Sequence, residues 1–307
     1  MELRDIIIIG AGPAGLTAAI YAARYKLDVA VLTKEVGGMA ATAHKVCNYP
    51  GFTSISGFEL MQKMADQAEA LEVPILHESV VKVSRQKDGT FVVSTAAHKQ
   101  HHARKVIFTG GTERRKLDIP GEKELLGKGV SYCATCDGGF FRDKKVAVIG
   151  GSDAALTAAL LLSEYATAVT IIYRKDRFFR AEPSWVDLVE KDDKITTVFE
   201  QEVEEIMGED RVTGVRLTSG DELAVDGVFI EIGSVPNLRI LHEIDVEVDG
   251  NYIVTDEHRE TATHGLYAAG DVIKQPFKQI VTAAAHGAVA AFSAYQALKK
   301  EEKDDNS

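Results

Sequence analysis

A strand that runs into a glycine-rich turn and then a helix occurs twice in this chain, and this repeat constrains the fold more than any other feature. In the first copy, Ile6-Ile7-Ile8-Ile9 leads into Gly10-Ala11-Gly12-Pro13-Ala14-Gly15. An alanine-rich helix to about Tyr25 and a strand from Asp28 to Thr33 follow. A GxGxxG turn in that context points to a dinucleotide site; the other reading is a glycine-rich turn without a ligand. The first glycine permits the tight turn, the second admits a pyrophosphate to the backbone, and the third lets the helix pack on the strand. The helix N-terminus then offers N–H groups and the positive end of its dipole. The second copy runs from the strand Lys145–Ile149 through Gly150-Gly151-Ser152-Asp153-Ala154-Ala155 to a helix ending near Tyr165 and a strand from Ala168 to Tyr173. Here Gly150, Ser152 and Ala155 occupy the three motif positions, with a small hydroxyl residue at the second.

The flanking segments repeat as well. Val80–Arg85 and Thr90–Thr95 alternate around Asp88-Gly89, which reads as a hairpin, and a similar pattern returns at Arg211–Leu217. Lys105–Thr112 and Gly227–Ser234 each read as a buried strand ending in small residues. Gly265–Val272 begins a return to the first unit, and Ile280–Lys299 reads as a long helix followed by a solvated charged tail, Lys299–Asp305. The expected fold is α/β, with two Rossmann-like three-layer nucleotide-binding domains, the second inserted into the first. The expected division is 1–114 with 239–307, and 115–238; a chain of 307 residues is long enough for both.

The residues after each second strand bear on which nucleotide binds. In the first unit Glu35, just beyond Thr33, is the candidate acidic ribose ligand. In the second unit the strand ends in Tyr173-Arg174-Lys175, with Arg177 and Arg180 close behind and no carboxylate at the strand end. Clustered cations suit a ribose 2′-phosphate and point to NADPH over NADH; the other reading is a solvated basic turn. Asp271, at the end of a buried strand, is placed either to bind a ribityl hydroxyl of a flavin or to serve as a helix cap or Asx turn. The last helix starts near Lys278-Gln279-Ile280, and its positive end suits negative charge on a reduced flavin ring.

The chain has three cysteines: Cys47, Cys133 and Cys136. That is too few for a disulfide scaffold and fits a reducing compartment. Cys133-Ala134-Thr135-Cys136-Asp137 is open to three readings. It is half of a zinc site, for which no further ligands have suitable spacing; a pair of inert core cysteines; or a catalytic disulfide, whose thiol ionises near neutrality. In the third reading Asp137 is a general acid or base; otherwise it is a turn residue. A net charge of −11 argues against broad nucleic-acid binding. Ile6–Ala23 carries no charge, but its β-branched run is short and the glycines break any single helix. It is therefore expected to be a buried strand and turn rather than a membrane span or export signal, with the cytoplasm as the expected location.

Taken together, these residues resemble the low-molecular-weight thioredoxin reductases over almost the whole chain. The likeness lies in the GAGPAG turn, Gly37-Gly38, Asn48-Tyr49-Pro50-Gly51, the Cys-Ala-Thr-Cys-Asp run, the basic stretch at 174–182, Gly233-Ser234-Val235-Pro236-Asn237, Gly270-Asp271-Val272 and Lys278-Gln279. The resemblance implies FAD on the first domain, near Gly10, Gly12, Pro13, Ala14, Gly15, Glu35, Gly37, Gly38, Met39, Asn48, Thr109, Gly110, Gly270, Asp271, Lys278, Gln279 and Ile280. It implies NADPH on the inserted domain, near Gly150, Ser152, Asp153, Ala154, Ala155, Tyr173, Arg174, Lys175, Arg180 and Gly233. Electrons are then expected to pass from NADPH to FAD to a Cys133–Cys136 disulfide, with Cys136 beside the flavin, and on to thioredoxin or a thioredoxin-like protein. A homodimer is implied, and so is a hinge at Gly110–Pro120 and Ser234–Leu238 about which the inserted domain rotates. The rival readings are a related flavin reductase with another carrier or donor (NADH, a deazaflavin), a dithiol oxidase, and a redox sensor without turnover. Three residues depart from the family pattern. Met39 stands for Gln, Lys278 stands for Arg with loss of bidentate geometry, and Cys47 stands for Glu, where it is either a plain core residue, the favoured expectation, or a third thiol near the cofactor.

Overall fold

The computed structural model describes residues 3–305. It divides into two compact units. One holds the described residues up to Ala41, Val46–Glu113 and everything from Val235 onward; the other holds Thr42–Lys45 and Arg114–Ser234.

The first unit is built on the isoleucine run. In β1 (Leu3–Ala11) side chains alternate between the two faces of the sheet, yet Ile6, Ile7 and Ile8 are all 0% exposed, so both faces are covered. Helix α1 (Pro13–Arg24) starts with proline in its first turn, where the missing N–H costs nothing, and carries Arg24 in its last turn. Strand β2 (Val29–Val36) pairs parallel to β1, with Ile6 opposite Val29 and Ile8 opposite Val31. This strand runs beyond Thr33 and takes in Glu35, so Glu35 lies within β2 rather than past its end. A short helix α2 (Gly38–Ala41) and α3 (Gly57–Glu69) follow. Sequence reading did not anticipate α3, although Ser56 and Glu59 have the spacing of a helix start and the Ser56 hydroxyl accepts the Glu59 N–H at 3.1 Å. Strands β3 (Ile75–His77), β4 (Val80–Arg85), β5 (Phe91–Thr95) and β6 (Gln100–Phe108) complete the sheet in the order β3-β2-β1-β6-β5-β4. The β4–β5 hairpin is antiparallel, as its alternation predicts.

The chain leaves the first unit through β7 (Thr112–Arg114). In the second unit β8 (Val130–Ser131) is followed by α4 (Ala134–Asp137), β9 (Lys145–Ile149), α5 (Asp153–Ser163), β10 (Ala168–Tyr173), α6 (Pro183–Glu190) and β11 (Ile195–Phe199). An antiparallel sheet of β12 (Val203–Gly208), β13 (Val212–Leu217) and β14 (Glu222–Leu223) comes next, then β15 (Gly227–Ile230). The parallel sheet has the order β11-β10-β9-β15-β8. Val146, Val148, Val169, Ile171 and Phe229 pack under α5 and α6 on one face. Ala147, Ile149, Ile172, Val228 and Ile230 meet Ile206, Val215 and Leu217 of the antiparallel sheet on the other. That is a three-layer Rossmann-like unit inserted between two parts of another.

The return strand β16 (Ser234–Pro236) pairs with β7, so the two crossings between units form one ribbon. A small hairpin, β17 (Val248–Asp249) and β18 (Tyr252–Ile253), precedes β19 (Leu266–Ala268), which pairs parallel to the C-terminal half of β6. The last helix, α7 (Ile280–Asp305), packs along α1. Gly287 has no room for a side chain there, because a Cβ would overlap the Ala14 carbonyl. The expected solvated tail is a correction: the helix continues through 299–305, and Glu301 pairs with Arg104 at 3.2 Å and with the buried Lys105. A buried ammonium needs a counter-charge, and this one lies far along the chain. Among the described residues no helix is long and apolar enough to cross a membrane.

Candidate active site

In the first unit, Gly10, the last but one residue of β1, has φ +105°, and a side chain there would meet the Thr109 carbonyl at 2.5 Å. Thr109 is buried, and its hydroxyl lies within hydrogen-bond reach of the Ile9 and Gly10 carbonyls, at 2.9 and 3.0 Å. It therefore braces the turn rather than offering its hydroxyl outward. Gly15 is pressed against the Gly10 carbonyl, which fixes the α1–β1 contact. Gly12 differs: the nearest atom to a Cβ built there is the Gly37 carbonyl oxygen, 4.0 Å away, and a Cβ on Gly38 would be 3.9 Å from Gly12. Between Gly12 and Gly38 the backbone is bare and approachable, which is what a pyrophosphate needs.

The rest of the predicted set in this unit gathers at the ends of the same sheet. Gly270 packs against Ala14, where a Cβ would come within 3.0 Å. Asp271 lies in a 3₁₀ turn, Gly270–Val272, and its Oδ1 is buried with no hydrogen-bond partner. It thus serves neither as a helix cap nor as an Asx turn. Burial pushes its carboxyl pKa up, against the nearby Lys278 charge, which lowers it. An orphaned buried acceptor of this kind fits a hydroxyl donor from a bound cofactor. Lys278 donates to the Asp271 carbonyl at 3.1 Å and lies over the Tyr252 ring, 3.2 Å from its centroid. Asn48 donates to Gln279 at 3.2 Å, tying the 46–49 segment to the start of α7 at Ile280. Pro13 is the first residue of α1 and Met39 is exposed on α2. Gly110 is backed by the Phe108 ring. Glu35 is exposed and lies 3.7 Å from Lys34. Cys47 is exposed, which corrects its expected core placement.

The second unit repeats the turn. Gly150 has φ +144°, and a side chain there would overlap the Glu231 carbonyl at the end of β15, just as Gly10 meets Thr109. Ser152 is the N-cap of α5 in extended conformation, and its hydroxyl makes no capping bond. Ala155 is buried and Ala154 exposed. Tyr173 packs its ring against Gly151 and stacks on Phe178, with centroids 5.9 Å apart. The loop carrying Arg174, Lys175, Arg177 and Arg180 is held by Asp153, whose Oδ1 accepts the Glu182 N–H at 2.6 Å. Burial pushes the Asp153 carboxyl pKa up, and that hydrogen bond opposes the shift. Arg174 is exposed, 3.7 Å from Glu202; Arg180 lies over the Phe179 ring. Gly233 has open space where a side chain would stand, and its carbonyl accepts the Arg115 N–H at 2.9 Å.

Cys133 and Cys136 are joined in a disulfide, with Cα atoms 5.3 Å apart. Among the described residues no group of three or more His, Cys, Asp or Glu side chains is placed to hold a metal. Cys133 is the N-cap of α4, and its sulfur accepts the Cys136 N–H at 3.1 Å. Cys136 is an exposed residue and Cys133 a half-buried one. Sequence reasoning missed the groups that brace this turn. The Ser131 hydroxyl donates to Asp137 Oδ2 at 2.6 Å. Glu122, 4% exposed, accepts the Leu117 and Asp118 N–H groups and the Tyr132 hydroxyl, at 2.9, 2.6 and 2.6 Å. Burial, and then the Glu122 carboxylate, raise the Tyr132 pKa and keep its phenol protonated. Arg114 pairs with the buried Glu231, whose carboxyl is pushed up to about 7 by burial, with the guanidinium opposing the shift. None of these carries a motif; only the fold brings the partners together.

A family model described as pyridine nucleotide-disulphide oxidoreductase matches residues 4–287. A thioredoxin reductase of Listeria monocytogenes is 41% identical over 306 residues, covering 97% of this chain and 95% of the relative. The crystal structure of the Lactococcus lactis thioredoxin reductase superposes with a TM-score of 0.92 at 36% identity, covering 95% of this chain and 98% of that one. The crystal structure of the T. acidophilum thioredoxin reductase gives a TM-score of 0.91 at 40% identity, with 96% of this chain and 99% of that one covered. With a bare glycine cradle in the first unit, a closed CxxC disulfide in the second, and likeness over nearly its full length, this chain belongs to the pyridine nucleotide-disulphide oxidoreductase family.

Proposed function

We propose that the chain is an FAD-dependent, NADPH-oxidising thioredoxin-disulfide reductase. The observation that carries this reading is the Cys133–Cys136 disulfide, with Cys136 an exposed residue followed directly by Asp137, on the unit that also holds a nucleotide-type turn. In net terms NADPH, one proton and the disulfide of a thioredoxin give NADP⁺ and the dithiol. A bound FAD supplies the two-electron exchange between a hydride donor and a disulfide.

The residues do the holding. Gly12 and Gly38 leave room for the FAD pyrophosphate, and Asp271 Oδ1 accepts a ribityl hydroxyl. The start of α7, with Lys278, sets positive charge against the flavin ring. In the second unit the free Ser152 hydroxyl and the N-terminus of α5 meet the NADPH pyrophosphate. Arg174, Lys175 and Arg180 meet the 2′-phosphate, in a loop that Asp153 keeps folded. At the dithiol, the thiolate of one cysteine attacks the partner's disulfide, and the other cysteine resolves the mixed disulfide. Asp137 exchanges protons with the sulfurs as the pair opens and closes. A thioredoxin-like protein is the partner, a homodimer the working assembly, and the cytoplasm the compartment.

Anaerobic titration of the purified flavoprotein with NADPH and with NADH, on wild type and Cys136→Ser, tests the reading. Uptake of four electrons from NADPH by wild type and two by the variant supports it. A flavin that bleaches with neither nucleotide refutes the donor assignment, and equal uptake by both proteins refutes the relay through the disulfide.

A further inference from the structure

Ser131 lies two residues before Cys133, at the end of β8, and is 4% exposed. Its backbone is fixed in the parallel sheet opposite Phe229. Its Oγ accepts the Cys133 N–H at 2.9 Å and donates to Asp137 Oδ2 at 2.6 Å. The Cys133 carbonyl is also within reach, but at 3.3 Å it is the poorer acceptor for a single hydroxyl proton. An O–H···O⁻ bond this short is of the charge-assisted kind. A continuous hydrogen-bonded path therefore runs from the Cys133 backbone through one buried hydroxyl to the carboxylate. The neighbouring polar groups are engaged elsewhere. On the β8 side Glu122 and Tyr132 bond each other at 2.6 Å, and on the α5 side Arg142 lies over the Tyr165 ring.

We propose that Ser131 is a positioning residue for the chemistry of the Cys133–Cys136 pair: its hydroxyl holds the Asp137 carboxylate in the orientation from which it takes the proton of the attacking thiol. This rests on the disulfide-reductase reading above. In exchange with a small aromatic disulfide, Asp137 takes the proton from one cysteine, and that sulfur attacks, breaking the aromatic S–S bond and expelling one aromatic thiolate. The second cysteine then attacks the mixed disulfide, re-forms Cys133–Cys136 and expels the second thiolate. The cysteine pair is oxidised by two electrons, the aromatic disulfide is reduced by two, and the two thiol protons pass to solvent or products.

The test uses holoenzyme carrying Cys47→Ser, which removes the exposed third thiol, reduced with dithiothreitol, desalted under nitrogen and mixed with 5,5′-dithiobis(2-nitrobenzoate) in a stopped-flow instrument from pH 4 to 9. It needs neither NADPH nor thioredoxin, so it stands apart from the titration that tests the overall reading. Expected for Ser131→Ala is about a tenfold slower reaction at the acid end of the range and a smaller loss at the alkaline end, where proton removal by a base matters less. Ser131→Thr, which keeps the hydroxyl, is expected to restore the rate. In an Asp137→Asn background Ser131→Ala is expected to add nothing further. An unchanged acid-side rate in Ser131→Ala overturns the proposal, as does a loss equal at every pH and additive with Asp137→Asn. If Ser131→Ala does not retain flavin and native circular dichroism, Ser131→Gly removes the same oxygen and takes its place. If neither folds, Ser131 is a folding residue and the positioning role is overturned.

Discussion

Replacing Glu231 by glutamine isolates what burying its charge costs. The side chain is 6% exposed, and burial lifts its carboxyl from the ordinary 4.5 to about 7, with Arg114 recovering part of the penalty. The folded protein therefore holds this proton more tightly than the unfolded chain does. The resulting stabilisation is complete below pH 4.5 and is lost as pH rises through 7. Two and a half pH units at about 1.4 kcal/mol each amount to about 3 kcal/mol. Glutamine has nearly the same volume, still accepts a hydrogen bond from Arg114 and does not titrate. Glu231→Gln and wild type should therefore differ by a constant below pH 4.5, and the variant should gain about 3 kcal/mol on wild type by pH 7.5. Trp185 is the chain's one tryptophan and packs against the core of the same unit, so guanidinium unfolding followed by its fluorescence reads the right part of the molecule. Two stability curves that stay parallel from pH 4.5 to 8 would refute the reasoning.

Three further outcomes are expected. Gly12→Ala has space for its methyl group and should fold but lose FAD, whereas Gly15→Ala collides with the Gly10 carbonyl and should lose stability as well; flavin retention and melting temperature separate the two. Arg180→Ala and Lys175→Ala should each raise the KM for NADPH about tenfold and leave that for NADH within about twofold, a difference of about 1.4 kcal/mol for a phosphate contact; equal changes for both nucleotides would remove the 2′-phosphate assignment. Glu301→Gln leaves the Lys105 ammonium buried without its counter-charge and should destabilise the first unit by about 2 kcal/mol in a denaturant melt.

What was legible in the sequence is what short-range geometry dictates. Four isoleucines before a glycine turn leave little choice but a buried parallel strand, and Lys145–Ile149 and Ala168–Tyr173 are strands with those same bounds. Gly10 and Gly150 could be read because a close approach of backbone admits only one residue type. The Cys133–Cys136 pair could be read because its spacing is local. The rest depends on partners that meet only after folding. Arg114 and Glu231 lie 117 residues apart, and neither sits in a pattern that points to the other. The charges after Lys299 look solvated until Lys105, 196 positions before Glu301, is found buried beneath them. Cys47 fell on the wrong side of the surface because its segment contains little regular structure from which a face could be inferred. Ser131 carries no signal, since a serine in a two-residue edge strand is ordinary until the turn that follows brings Asp137 back to it.

The ribbon formed by β7 and β16 also determines how the chain could be cut and rejoined. The main segment of the second unit begins at Arg114 and ends at Ser234, and the Arg115 N–H to Gly233 carbonyl bond keeps those ends side by side. On the other side of the cut, Asn237 reaches Glu113, so the stumps left on the first unit are also neighbours. An excised second unit would thus have adjacent termini, and the gap it leaves could be bridged by a very short linker. The segment Arg114–Ser234 could therefore be exchanged at one double-stranded crossing for a foreign nucleotide-binding segment with similarly close ends, while the Thr42–Lys45 stretch of the same compact unit would stay in the host chain.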